Sequence, residues 1–390
     1  LQYIWLDIMK LLRAVVFIFL LIGLFYLEAS RMFVVDTSIH FSILYPIGVL
    51  LCSLFIVKSG GVFLDRNNRG ILLLVVWLYI ITLLHSVFTP LPAKYCYVTL
   101  ILPSICLYLP QKLLNSNFNQ KYFDRGNIVV FVLLLFYYFH NYQNNIFIDI
   151  DSQNNSAYTV LFFAPILLCI NNKYIRYVVL FLTGIALFFS LKRSGIAAFS
   201  LGLVAFLYFT IKTSITQKNK FIYLIFICIC LYSSLVLLQS ILGERADLLS
   251  NRFTQLDDSG SGRDEIYKAT WKLIGENSIM DFVIGHGYGG VLKNSPLACS
   301  AHNDYLEFLY DYGVIGLALL LSFMLKFGRL VIGLIRKKSN YAAPAAFTFV
   351  VVLINSCFSH VFYYEWYLLL IAIFWGYLNW NVKKESVVGQ

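Results

Sequence analysis

Long apolar runs recur along the whole chain, and each is close to the length that a helix needs to cross a lipid bilayer. Apolar residues make up 59% of the 390 residues and charged residues only 13%. A typical soluble domain carries about 25% charged residues. The runs are continuously apolar and do not alternate with polar positions, so they predict helices and not the strands of a barrel. The sequence therefore predicts an all-α polytopic membrane protein with one transmembrane domain over residues 1–390.

The apolar runs predict about twelve transmembrane helices. We place these spans near residues 8–27, 41–57, 70–88, 95–109, 127–140, 157–170, 174–190, 194–211, 221–242, 304–327, 341–359 and 361–380. An even number of spans leaves both termini on one side of the membrane. Most of the 30 Lys and Arg residues fall on the loops and helix ends of that side. The positive-inside rule therefore predicts that both termini are cytoplasmic.

Charge and cysteine usage exclude several other classes of protein. The net charge of +10 comes from short basic loops and is a signal of membrane topology, so we predict membrane lipids and no nucleic acid as partners. Most of the eight Cys residues lie in apolar runs, where they pack as small hydrophobic residues. Neither a metal-ligand spacing, a nucleophilic triad nor a pocket of paired carboxylates is visible. We therefore predict no cofactor and a metal-independent activity.

One long polar loop, residues 243–303, separates the predicted ninth and tenth spans. Inside it we predict a helix from Arg263 to Ile274, capped by Ser261. Arg263, Tyr267 and Trp271 follow at i, i+4 and i+8 and share one face. Such a face suits a phosphate next to a sugar. The alternative is that the two aromatic residues pack on the helix bundle while Arg263 is solvated.

The loop ends at His302 and Asn303, where a polar segment enters the tenth span. The start of a helix carries free N–H groups and a partial positive charge, so it suits an anion such as phosphate. The alternative is that Ser300 or Asn303 caps the helix and His302 is only its neighbour in water.

Three other outer segments contain candidate residues. Lys192 and Arg193 lie in a very short outer turn against the positive-inside trend, which favours a function over simple snorkelling. The segment from Gly285 to Gly290, which includes His286, matches GxGxxG. It lacks the βαβ unit of a dinucleotide site, so it predicts a turn or a close backbone approach. His360 and Tyr363 line the last outer turn and are typical of interface residues.

These features favour a transfer reaction in which a lipid-linked diphosphate leaves and a hydroxyl attacks. Two arginines can hold a diphosphate by forked hydrogen bonds. A histidine at a helix start is pushed toward the neutral form that a general base needs. The predicted catalytic residues are His302, Arg263 and Arg193, and the predicted substrate-binding residues are Lys192, Asn303, Tyr305, Tyr267, Trp271 and His286.

The same motifs resemble those of the O-antigen ligase and polymerase superfamily of bacterial envelope enzymes. The matching pieces are Lys192-Arg193-Ser194-Gly195, Gly262-Arg263 with Trp271, Gly285-x-Gly287-x-Gly289, His302-Asn303-x-Tyr305-Leu306-Glu307 and Gly313-x-x-Gly316-Leu317. Their order and their position around the long outer loop also match. The resemblance is specific between residues 192 and 317.

The resemblance implies a fold similar to the C-type (GT-C) glycosyltransferases. It implies a polyprenyl-diphosphate-linked glycan as donor, and an active site on the periplasmic face of the bacterial inner membrane. The functional residues of the family would fall on Arg193, Arg263 and His302. Relatives often have a small or hydroxyl residue at the position of Lys192, which leaves open whether Lys192 or Arg193 faces the site. A chain-length regulator is a candidate protein partner.

Three activities remain open at this level. A polymerase and a ligase share the donor and differ in the acceptor, which is another lipid-linked repeat or the lipid A-core. Compact length, a composition rich in Phe, Tyr, Ile and Asn, and the form HNDYLEFLYDYG favour the polymerase. A transporter or flippase for lipid-linked sugars is the third. It is disfavoured because the chain shows no internal repeat and no charge at a span centre.

Overall fold

The computed structural model describes residues 69–86, 102–114, 120–143, 150–190, 192–214, 262–363 and 365–388, together with 13–18 and positions 52 and 54. All regular structure in these ranges is helical. The helices are α1 (Arg69–Ser86), α2 (Leu102–Leu114), α3 (Gln120–Gln143), α4 (Ile150–Leu168), α5 (Lys173–Ser190), α6 (Arg193–Ser214), α7 (Arg263–Gly275), α8 (Ile279–Ile284), α9 (Gly290–Asn294), α10 (Asp304–Asp311), α11 (Gly313–Arg336), α12 (Ala342–Phe358) and α13 (Glu365–Val388).

Four of the described helices are long and apolar enough to cross a membrane. They are Gln120–Phe139, Lys173–Ser190, Arg193–Thr213 and Gly313–Arg336. Shorter apolar helices cover Ile71–His85, Ser156–Leu168 and Ala342–Phe358. The protein is therefore a helical, multi-pass membrane protein. The predicted spans near 221–242, most of those near 8–27 and 41–57, and loop residues 243–261 with Ser261 lie outside the described residues.

The predicted single span over 304–327 is wrong, because the structure divides it at Tyr312 into α10 and α11. The break occurs where Gly313 adopts a left-handed conformation with φ of 68°. A Cβ at Gly313 would lie 2.2 Å from the carbonyl oxygen of Val283 in α8. Only glycine permits both the conformation and this approach. The apolar pattern runs through the break, so hydropathy could not reveal it.

Glycine also sets the closest helix contacts in the bundle. At Gly202 in α6 a Cβ would lie 2.8 Å from Val351 of α12, and at Gly376 in α13 it would lie 2.3 Å from the carbonyl oxygen of Leu107 in α2. Small residues at such positions let helices pack closely where no water drives association. Phe323 and Phe327 of α11 pack on Trp375 of α13, with ring centroids 5.2 and 5.1 Å apart.

A polar network closes one end of the bundle. Arg176, at the start of α5, donates to the carbonyl oxygens of Ile170 at 2.8 Å and Asn340 at 3.2 Å. The Tyr341 hydroxyl donates to Asn381 at 3.2 Å. Helices α5 and α12 both begin at this end and finish at the opposite one. The predicted site residues therefore lie at the opposite end, near the last turns of α5 and α12.

Candidate functional site

Helix α10 carries an acidic stripe, which is the set Asp304, Glu307 and Asp311. The spacing i, i+3 and i+7 puts the three carboxyl groups on one face of the helix. All three side chains are fully buried. The sequence analysis did not predict this buried set of carboxyl groups. The spacing was visible in the sequence, but the residues appeared there as the start of a membrane span.

Each carboxylate of the acidic stripe holds a different segment of backbone. Asp304 accepts from the N–H groups of residues 361, 362 and 363 at 2.9, 3.1 and 3.3 Å. Glu307 accepts from Ala301 N–H at 2.6 Å. Asp311 accepts from Val291 N–H at 2.9 Å. Buried carboxylates are stable only with such partners. The stripe thus fixes two loops and the start of α9 around one short helix.

Burial also changes the protonation of these groups. It raises the pKa of Asp304 to about 7, although the three backbone donors act in the opposite direction. Burial and mutual repulsion raise the pKa of Glu307, and burial raises the pKa of Asp311. The Tyr363 hydroxyl, which accepts from Gly289 N–H at 2.8 Å, interacts with both of these carboxyl groups. The stripe therefore retains protons near neutral pH.

His302 is exposed and occupies a backbone conformation that is uncommon for a residue with a side chain, with φ of 50°. Its neighbours are both fixed. Ala301 is bonded to Glu307, and Asn303 accepts from the N–H groups of Tyr305 at 2.9 Å and Leu306 at 3.2 Å. The capping alternative is therefore confirmed for Asn303. The cap presents the imidazole of His302 to the exterior at the start of α10.

The amide of Asn303 has a second bond that joins α10 to the end of α12. Its Nδ2 donates to the carbonyl oxygen of Cys357 at 3.0 Å. The Tyr267 hydroxyl of α7 donates to the same oxygen at 3.1 Å. Because the last carbonyls of a helix have no partner within it, this oxygen is an available acceptor. One carbonyl thus brings α7, α10 and α12 together.

His360 lies beneath His302, with ring centroids 5.2 Å apart. Its Nε2 is hydrogen-bonded to Ser300 Oγ at 2.9 Å, and its Nδ1 is 3.9 Å from Asp304 Oδ1. Burial is the main cause that lowers the pKa of His360 to about 3, and the nearby charges of His302 and Arg263 act in the same direction. The lowered pKa of His360 and the raised pKa of Asp304 indicate that the two side chains meet as neutral groups and not as an ion pair.

Arg263 is the first residue of α7, after Gly262 in a left-handed conformation with no side-chain cap. It is close enough to Tyr267, His360 and Tyr158 for its charge to act on all three. Tyr267 anchors α7 to α12, whereas Trp271 remains 57% exposed. The predicted aromatic face is therefore divided into one anchoring residue and one exposed residue.

The short outer turn, Lys192–Arg193, is linked to Arg263 through Tyr158 of α4. Arg193 is the first residue of α6, and the next residue, Ser194, has its Oγ 2.6 Å from the Tyr158 hydroxyl. Tyr158 is the residue on which Arg263 also acts. Lys192 and Arg193 are both half-buried. The structure therefore brings the Lys192–Arg193 turn, Arg263 and His302 to the same end of the bundle.

The glycine-rich segment packs against the far end of α10. A Cβ at Gly285 would lie 2.4 Å from the carbonyl oxygen of Asp311, and one at Gly287 would lie 2.7 Å from His85. The His286 ring stacks on Tyr310 with centroids 4.3 Å apart, and its Nε2 is bonded to Asn277 at 2.8 Å. Burial lowers the pKa of His286. These contacts support the interpretation of the segment as a close backbone approach.

Tyr305 is half-buried and packs against the main apolar core, with its N–H bonded to Asn303. Within the described ranges, no group of three or more His, Cys, Asp and Glu residues is arranged to hold a metal ion.

Fold and site together define a multi-pass helical membrane protein with arginine, histidine and buried carboxyl groups gathered at one end of its bundle. Residues 178–321, from α5 into α11, match the family model described as O-antigen ligase. This match supports the O-antigen ligase and polymerase superfamily that the motifs predicted, whose members are membrane enzymes of glycan transfer. No curated protein matches the chain.

Proposed function

We propose that the chain is a membrane glycosyltransferase that polymerises undecaprenyl-diphosphate-linked oligosaccharide repeats into O-antigen or capsule. The observation that carries this proposal is the grouping of Arg263, His302 and the Lys192–Arg193 turn at one end of the bundle, within the segment that matches the family model. We assign this end to the periplasmic face of the inner membrane and both termini to the cytoplasm, because the basic residues favour that orientation.

In the proposed reaction, an acceptor hydroxyl attacks the anomeric carbon of the donor glycan. A new C–O bond forms while the bond to the diphosphate breaks, and the diphosphate leaves with the electron pair. Arg193 and Arg263 stabilise the charge that develops on the leaving group. His302 takes the proton of the attacking hydroxyl. The chain's own side chains supply each of these functions, so we propose that added chelators leave the rate unchanged.

The other predicted binding residues receive narrower roles. Trp271 is exposed two turns after Arg263 on the same helix and offers an indole face to a sugar. Lys192 adds positive charge next to Arg193 for the diphosphate. Tyr267, Asn303 and Tyr305 shape the start of α10 through their hydrogen bonds and packing. His286 lies at the far end of α10, where we propose contact with the outer part of a glycan chain.

A ligase that transfers the glycan to the lipid A-core is the second candidate, and the description of the matching family model favours it. Both reactions need the same donor site, so this geometry supports them equally. Composition, length and the HNDYLEFLYDYG motif lead us to prefer the polymerase. A transporter remains the third candidate. A transporter would place its charged groups near the middle of the membrane. Here the candidate reactive groups are gathered at one end of the bundle, which disfavours a transporter.

We propose that residues 243–303 form one periplasmic loop between the ninth and tenth of twelve spans in a GT-C-like fold. Its described part carries α7, α8 and α9 around α10. Membrane lipids and the lipid-linked donor and acceptor are the proposed partners. A chain-length regulator is a further proposed partner.

The polysaccharide profile of a deletion strain tests the activity. A strain that caps its lipid A-core with single repeats lacks a polymerase, whereas loss of all capping identifies a ligase. The wild-type gene should restore the long chains. His302→Ala, Arg193→Lys and Arg263→Lys should be present in the membrane and fail to restore them, because lysine cannot form the forked contact. Full-length polysaccharide from His302→Ala would remove His302 from the mechanism.

A further inference from the structure

The loop that leads into α10 contains two non-glycine residues in the left-handed conformation. Ala298 has φ of 48° and His302 has φ of 50°. Each such residue is strained, and this conformation persists only where the surroundings fix it. The contacts around this loop must therefore favour one conformation strongly.

Three contacts hold the loop in place. The first is Glu307 to Ala301 N–H, and the second is Asn303 to the carbonyl oxygen of Cys357. The third joins Ser300 Oγ to His360 Nε2 at 2.9 Å. The third contact differs from the others, because the same His360 ring also lies against the imidazole of His302. The two rings are inclined at 31° with centroids 5.2 Å apart.

His360 is itself held by the helix that His302 precedes. The residue is only 6% exposed. Asp304 fixes the backbone of residues 361–363 and approaches His360 Nδ1 at 3.9 Å. The Tyr363 ring lies on another side, with its centroid 5.1 Å away. The position of the His360 ring is therefore set by α10, and that ring in turn limits where the His302 ring can lie.

We propose that His360 is a positioning residue that orients the imidazole of His302 toward the acceptor hydroxyl. It acts through the ring contact and through the bond to Ser300. This role rests on the proposed function of His302 as the proton acceptor. In this role His360 acts through His302 and not through a contact of its own with the substrate. A general base that is misplaced by about 1 Å can lose on the order of 100-fold in rate. A residue that fixes the position of the base can therefore change the rate strongly without taking part in the reaction itself.

The test measures kcat and KM for the lipid-linked donor with the full-length protein in lipid nanodiscs. His360→Phe keeps a ring but loses the bond to Ser300, and we expect kcat to fall about 10–100-fold with KM nearly unchanged. His360→Gln keeps a polar group toward Ser300 and should recover most of the lost kcat. Ser300→Ala removes the same bond from the other side and should lower kcat about 3–10-fold, which keeps the proposal testable should His360→Phe fail to fold.

Tyr341→Phe is the matched control, because it removes a hydrogen bond to Asn381 at the opposite end of the bundle. It should leave kcat unchanged. The positioning role is overturned if His360→Phe and Ser300→Ala retain wild-type kcat. It is also overturned if KM rises as much as kcat falls, or if Tyr341→Phe lowers kcat equally.

A double-variant cycle separates this role from the proposed function. In a His302→Ala background the His360→Phe change should have no further effect, because there is no base left to orient. Full activity of His302→Ala would reject the proposed base itself. Loss of activity in His302→Ala with an unaffected His360→Phe would reject only the positioning role.

Discussion

The Glu307 carboxylate accepts a hydrogen bond from the backbone N–H of Ala301 at 2.6 Å, and the next residue in the chain is His302. A helix thus uses a side chain from its first turn to fix the loop that precedes it. Asn303 caps the same turn from the other side of His302. The position of the candidate base is consequently defined by α10 and not by a membrane-spanning helix.

Glu307→Ala removes the acceptor for Ala301 and leaves a buried N–H without its partner. We expect a loss of roughly 1–3 kcal/mol in the free energy of unfolding of this region, and a large loss of transfer activity. Glu307→Gln keeps an oxygen acceptor and should lose much less. Thermal unfolding and activity of the two variants provide the measurement. Equal stability of both variants would contradict the role of this bond.

His302→Gly should separate stability from activity. Glycine adopts a φ of 50° without strain, so the variant should unfold at the same temperature as the wild type or slightly above it. Transfer should be abolished, because the imidazole is absent. His302→Ala is the control and should be the less stable of the two variants. A marked loss of stability in His302→Gly would show that the ring mainly supports the fold.

Arg263→Lys should lower transfer by at least about 100-fold, the scale on which one preorganised donor to developing charge acts. A lysine keeps the positive charge and loses the planar fork. Lys272→Ala provides a matched control, because Lys272 lies on the same helix and its contact with Glu276 is exposed. Its transfer rate should be that of the wild type. Equal rates for Arg263→Lys and the wild type would exclude a forked contact at this position.

Asp304→Asn should make stability less sensitive to pH. Because burial raises the pKa of Asp304 from 3.8 to about 7, the folded state binds the extra proton between these values. Its contribution to stability is complete below pH 3.8 and is lost as the pH rises through 7. His360 acts in the opposite direction, since its lowered pKa makes stability fall as the pH drops below 6.5.

The comparison of wild type and Asp304→Asn isolates the carboxyl group from His360. Between about pH 5 and pH 8, the wild type should lose more of its melting temperature than Asp304→Asn does. The measurement is thermal unfolding at the two pH values in the same lipid. Parallel changes in both proteins would indicate that Asp304 is ionised at both pH values.

Gly313→Ala should destabilise the junction of α10 and α11 by about 1–3 kcal/mol. The left-handed backbone strains alanine, and the new Cβ would lie 2.2 Å from the carbonyl oxygen of Val283. Gly333→Ala in the same helix is the control, because a Cβ there has no atom within 4 Å. It should leave thermal unfolding unchanged or slightly raise its temperature. Similar behaviour of both variants would contradict the close approach.

Local sequence patterns were sufficient to predict several of the helices and to indicate the family. Apolar runs predicted α3, α5 and α6, because each helix that crosses lipid must bury its own backbone hydrogen bonds under apolar side chains. The cap at Asn303 followed from residue type alone. The motif from His302 to Glu307 by itself indicated the superfamily.

The acidic stripe and His360 belong to the tertiary structure. Whether Glu307 faces lipid, water or a loop depends on which segments fold against α10, and one of them, at Tyr363, is 59 residues from Asp304 in the chain. The break at Gly313 could not be predicted from the local sequence either, because the carbonyl oxygen that excludes a side chain there belongs to Val283.

The sequence by itself thus determined a helical membrane protein that resembles this superfamily, and it supplied the candidate reactive side chains, because hydropathy and capping act between near neighbours. Only the tertiary structure decided that α10 is separate from α11, that its three carboxyl groups are buried, and that His360 lies beneath His302. The reason is that burial and backbone pairing are properties of residues brought together from distant parts of the chain.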